Sequence, residues 1–124
     1  MAGKYRYDTE VVRIFYDFAE SVVWFPDPVD YDESRLSSAL VADLRAWGSL
    51  HETGRDEDYE WRSPDLRRQA ELALRELARR LGRELGSAFE IEYDVDRATY
   101  RSPHAPTNRA AAAAFAARAA GAEW

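Results

Sequence analysis

The chain has 124 residues, 46% hydrophobic and 32% charged, with a net charge of −6, which fits one globular domain with one core rather than a disordered chain. It contains no cysteine, so a disulfide scaffold, a thiolate zinc site, an iron–sulfur cluster and a cysteine nucleophile are excluded. No apolar run reaches bilayer-spanning length, and the start Met1-Ala2-Gly3-Lys4-Tyr5-Arg6-Tyr7-Asp8 lacks the apolar stretch of a signal peptide, which predicts a cytoplasmic protein.

Residues 10–18 read as a strand, with Val12, Ile14 and Tyr16 alternating against Val11, Arg13, Phe15 and Asp17. A second short apolar run, 21–25, ends at Pro26-Asp27-Pro28, and the short gap between the runs predicts an antiparallel hairpin at the centre of the sheet. Residues 30–34 read as an acidic connector. A helix is predicted from Ser37 as its cap, with Leu40, Val41, Leu44, Trp47 and His51 on one face and Gly54 as the stop. After a polar loop over 55–60, Ser63 caps a second helix with Pro64 in its first turn and Asp65 at the positive end of the dipole. Leu66, Ala70, Ala73, Leu74, Leu77, Leu81 and Leu85 form its apolar stripe, and Gly86 ends it.

Phe89, Ile91, Tyr93 and Val95 then alternate with Glu90, Glu92, Asp94 and Asp96. Four carboxylates on one strand face repel, which places this strand at an edge or beside arginines. Residues 102–106 form a turn-rich linker, and the remainder is helical by propensity, with five alanines in a row from Ala110. Only Phe115 and Trp124 offer anchors there, so a loosely packed tail is expected. The predicted architecture is α+β: a small antiparallel sheet of about three strands with two main helices on one face. It occupies residues 1–101, followed by the linker and alanine-rich helix over 102–124.

No chemistry-bearing motif is found. His51-Glu52 has no second histidine at metalloprotease spacing, and His51 reads as a satisfied residue at the core boundary. Asp30, Asp32 and Ser34 match the first ligand spacings of a calcium loop, but Arg35 and Val41 stand where its glycine and glutamate are needed. No catalytic residue, metal site or cofactor is therefore assigned. The arginines of the second helix interleave with Glu71, Glu76 and Glu84 and read as a salt-bridged solvent face.

The charge itself is uneven. The segment from Asp17 to Glu60 carries 12 acids against Arg35, Arg45 and Arg55, which disfavours nucleic acid and anionic membrane and favours a basic protein partner. Aromatic residues accompany these acids, and interfaces anchor on Tyr and Trp. The partner-binding residues expected on this ground are Asp27, Asp30, Tyr31, Asp32, Glu33, Asp56, Glu57, Asp58, Tyr59, Glu60 and Trp61.

One resemblance adds to this reading. Tyr16-Asp17-Phe18, Val23-Trp24, Leu36-Ser37 with Leu40, Leu44 and Trp47, then Ser63-Pro64, and the run from Leu77 through Gly86 into Phe89-Glu90-Ile91-Glu92-Tyr93 resemble a group of small actinobacterial proteins. These are similar to the immunity proteins that accompany secreted bacterial toxins. The resemblance covers residues 10–95 and implies an inhibitor of a basic toxin domain, with Asp17 and Trp24 as family-type positions and no catalytic residues. Two other functions fit the residues: a homo-oligomeric assembly or regulatory module, such as a homodimer paired through an edge strand, and a small enzyme using carboxylates with a divalent ion.

Overall fold

A computed structural model describes residues 10–93 and 97–121. The elements run β1 (Val11–Ile14), β2 (Val23–Trp24), α1 (Tyr31–Ser34), α2 (Ser38–Gly54), α3 (Pro64–Leu85), β3 (Glu90–Glu92), β4 (Thr99–Tyr100) and α4 (Arg109–Ala119). The class is α+β, as the alternation of patterns predicts.

The sheet differs from the expected antiparallel one. Its order is β2-β1-β3-β4: β1 pairs antiparallel with β2, but it pairs parallel with β3 in the register Val12↔Ile91. The connection allows it, since α1, α2 and α3 intervene between β1 and β3 and parallel pairing needs a crossover of about a dozen residues or more. The hairpin lies off centre, with β2 at the sheet edge and β1 inside. The strand rich in carboxylates is also internal. Arg13 reaches Glu92 at 3.1 Å, and Arg101 lies 3.9 Å from Glu90 and 3.3 Å from Glu10, so the arginines opposite relieve the repulsion. Asp94, Val95, Asp96 and Trp124 lie outside the described residues.

Both long helices begin at the caps expected: the Ser37 hydroxyl accepts from the Leu40 amide, and the Ser63 hydroxyl from that of Leu66. The supposed connector 30–34 is a single helical turn, because Asp30 accepts from the Asp32 and Glu33 amides. The core lies between the sheet and the helices, with Val12, Val23, Leu40, Leu44, Leu81 and Ile91 fully buried.

The alanine-rich helix α4 is not a loose tail. Ala111 and Phe115 are fully buried, with the Phe115 ring 5.6 Å from Phe25 and 6.1 Å from Phe89. Arg118 donates to the carbonyls of Phe25 (2.8 Å) and Asp27 (3.0 Å). At its start, the Asn108 side chain donates to the Arg35 carbonyl and to Glu84. Glu84 also accepts from the Ser37 amide and hydroxyl, so one carboxylate joins α3 to the caps of α2 and α4. Gly86 is required at the end of α3: its φ is 83°, and a Cβ there would lie 2.7 Å from the backbone nitrogen of Pro106.

Candidate functional site

The end of β1 leads into residues 15–20, and the end of α2 leads into the loop 55–61, so two segments distant in sequence meet. Asp56 organises the second of them. Its Oδ1 accepts from the Asp58 amide (2.8 Å) and the Glu60 amide (3.1 Å), while its own amide donates to the Glu60 carbonyl. Arg55 and Trp61 pair across the base. The result is a three-residue hairpin loop whose last position, Tyr59, has φ 62°, the left-handed position usually given to Gly or Asn.

Tyr59 meets Phe18 edge to face at 5.4 Å. Phe18 is 67% exposed and Tyr59 61%, and Phe18 also holds a positive φ, 54°. Tyr16 stands behind Phe18 at 5.1 Å. With Glu52 and Asp56, these rings border a hollow of about 160 Å³. Tyr16 and Glu52 also border a neighbouring cleft of about 840 Å³ that includes Glu20, Asp30 and Asp32 with Arg45. The two acidic segments read from the sequence therefore flank one aromatic crown.

The expected partner residues divide. Asp27, Asp30, Asp32, Glu33, Glu57, Asp58, Tyr59 and Glu60 are exposed, and Asp56 is half-buried. Tyr31 is not available: it is 7% exposed, and its hydroxyl accepts from the Val22 amide at 3.0 Å. It is a core residue because it begins α1 and points under it, with the Arg45 guanidinium 5.2 Å from its ring centre. Trp61 is half-buried and faces inward, with Arg55 over its ring at 4.6 Å. Asp17 is exposed; Trp24 is half-buried, stacked on Phe15 at 4.6 Å and donating to the Phe15 carbonyl.

Two residues of this region are not among the partner-binding residues expected from the sequence. Phe18 ends the Tyr16-Asp17-Phe18 run, where its alternation reads as strand. His51 was expected to be satisfied, yet it is 8% exposed and neither ring nitrogen has a hydrogen-bond partner. Tyr16, Trp47 and Trp61 surround it with ring centres at 5.0, 4.3 and 4.9 Å. Burial, with a smaller contribution from Arg55, lowers its pKa to about 4 and keeps the imidazole neutral. Burial and then Glu52 push the Tyr16 hydroxyl pKa upward.

Among the described residues, no group of three or more His, Asp or Glu side chains stands together as a metal would need, and no helix is long and apolar enough to cross a membrane. Comparison with family models, curated proteins and solved structures finds no match to this chain.

Proposed function

We propose that this chain is a non-catalytic acidic binding protein, an immunity-type inhibitor that occludes the active site of a basic toxin domain. The observation that carries the reading is the exposed Phe18–Tyr59 pair. Each residue holds a left-handed backbone conformation that costs about 1–2 kcal/mol for an L-residue, and each leaves most of an aromatic ring in water. Neither choice helps folding, whereas two exposed rings make an anchor for a partner. Glu52 and Asp56 border the pair, and Glu57 and Asp58 stand in the same exposed loop. Such a rim speeds encounter with a positively charged cleft.

The test is capture from the cytoplasm of the native cell, with the wild-type chain and a Phe18→Ser/Tyr59→Gly double variant as parallel baits. A basic protein held by the wild type, released at moderate salt and missing from the variant is expected. Recovery of the bait alone as a self-associated species would overturn the reading in favour of homo-oligomeric assembly, and equal retention by both baits would remove the site from the crown. With that partner in hand, Glu57→Lys/Asp58→Lys slows association at low salt by about tenfold or more. Asp56 is left intact because its carboxylate holds the loop.

A further inference from the structure

Among the described residues, the buried side-chain nitrogen and oxygen atoms that lack a hydrogen-bond partner all belong to two neighbours: both ring nitrogens of His51, and Nε of Arg55. Each such atom costs roughly 1–3 kcal/mol when left unmade. Their gathering in one place marks a spot that something outside the chain completes. Both residues line a cleft of about 750 Å³ on the far side of Tyr59, within the rough 300–1,000 Å³ range of small-molecule sites. The cleft also takes in Tyr16 just past β1 and Tyr93 just past β3. It therefore opens beyond the carboxyl ends of two adjacent parallel strands, the position at which open sheets receive ligands.

The atoms that wait there specify the chemistry. A neutral imidazole offers one donor and one acceptor, and Arg55 Nε–H adds a second donor and a positive charge. Around them Arg13 is paired with Glu92 and Arg67 with Glu71, so Arg55, Arg75 and Arg97 outnumber Glu60 on the cleft wall. This positive excess stands out in a chain of charge −6. The wall is also flat and aromatic, formed by Tyr16, Trp47 and Trp61.

We propose that this cleft binds a small flat ring bearing an anionic oxygen group, with the oxygens held by Arg55 Nε–H and the His51 N–H and the ring laid against the aromatic wall. The occupant's ring lies beside the half-buried Trp61 indole, whose ring centre is 4.9 Å from that of His51.

The probe is 2-naphthoate, with its uncharged counterpart 2-naphthamide, titrated at neutral pH and followed by calorimetry and by the His51 ring signals in NMR. Saturable binding of naphthoate with shifts at His51 is expected. Binding falls about tenfold or more for naphthamide and for Arg55→Gln, the loss of one charge-assisted contact. His51→Phe, which keeps an aromatic ring in the box, is the second variant should Arg55→Gln fail to fold, and it loses binding likewise. Absence of saturation, equal binding of the two probes, or full binding by His51→Phe would overturn the proposal and leave ordered water as the partner of these nitrogens.

Discussion

Tyr59 shows how a single residue can work against its own backbone. The loop from Asp56 to Glu60 is fixed by the Asp56 carboxylate and by the Tyr59 amide donating to the Asp56 carbonyl at 3.0 Å, none of which uses the tyrosine ring. Tyr59→Gly therefore keeps the loop and relieves the left-handed strain, partly offset by the larger entropy of glycine in the unfolded chain. The expected result is a rise in stability of about 0.5 kcal/mol, read as a higher denaturant midpoint at unchanged slope. A fall of more than about 1 kcal/mol would show that the ring serves the fold. His51 carries a different liability. Its folded pKa of about 4 lies below the ordinary value of 6.5, so the unfolded chain binds the proton first. Its contribution is present in full above pH 6.5 and is lost as pH falls toward 4, by about 2 kcal/mol between pH 7 and 5. Urea unfolding of His51→Phe across that window should lack this slope; an equal slope in both proteins would place the titrating group elsewhere.

At the scale of elements, the helices were readable because their signals are local. Ser37, Ser63, Pro64, Gly54 and Gly86 punctuate the chain in sequence, and the caps bind neighbouring amides. The sheet was less readable, because pairing direction depends on how the chain returns. The alternating carboxylates predict an edge or nearby arginines, and for Glu90 and Glu92 these are Arg13, 79 residues before Glu92, and Arg101, just after β4. Helix α4 shows the limit of apolar periodicity. Its hold on the core comes from one phenylalanine, a row of small side chains that permit close approach, and polar anchors at both ends. Phe115→Ala should thus cost about 3–5 kcal/mol in chemical denaturation, and a loss below about 1 kcal/mol would restore the loosely attached tail.

For the molecule as a whole, the acidic imbalance of residues 17–60 and the pairing of acids with Tyr59 were visible in composition, so one half of the candidate surface could be located in advance. Phe18, His51 and Arg55 could not, since their meaning lies in residues 16–18 meeting 51–61 in space. Tyr31 illustrates the converse: charged neighbours in sequence suggested exposure, while the first turn of α1 directs its ring into the core. The basic side chains of α3 are distributed rather than gathered, with Arg67 on Glu71 within the helix and Arg80 on Asp43 of α2.

The Glu84 carboxylate has a bearing on how this chain comes apart. Ser37 and Asn108 both fasten to it, and the Thr107 and Asn108 amides donate to the adjacent carbonyls of Arg83 and Glu84 in the last turn of α3. The last helix is thereby keyed to the middle of the chain at its entry, and by Arg118 at its exit. A nick in residues 102–106 would leave two fragments still clasped together, and release of the C-terminal piece would free the Arg35 carbonyl and one side of Glu84 and open the Phe25–Phe89–Phe115 cluster in the same event.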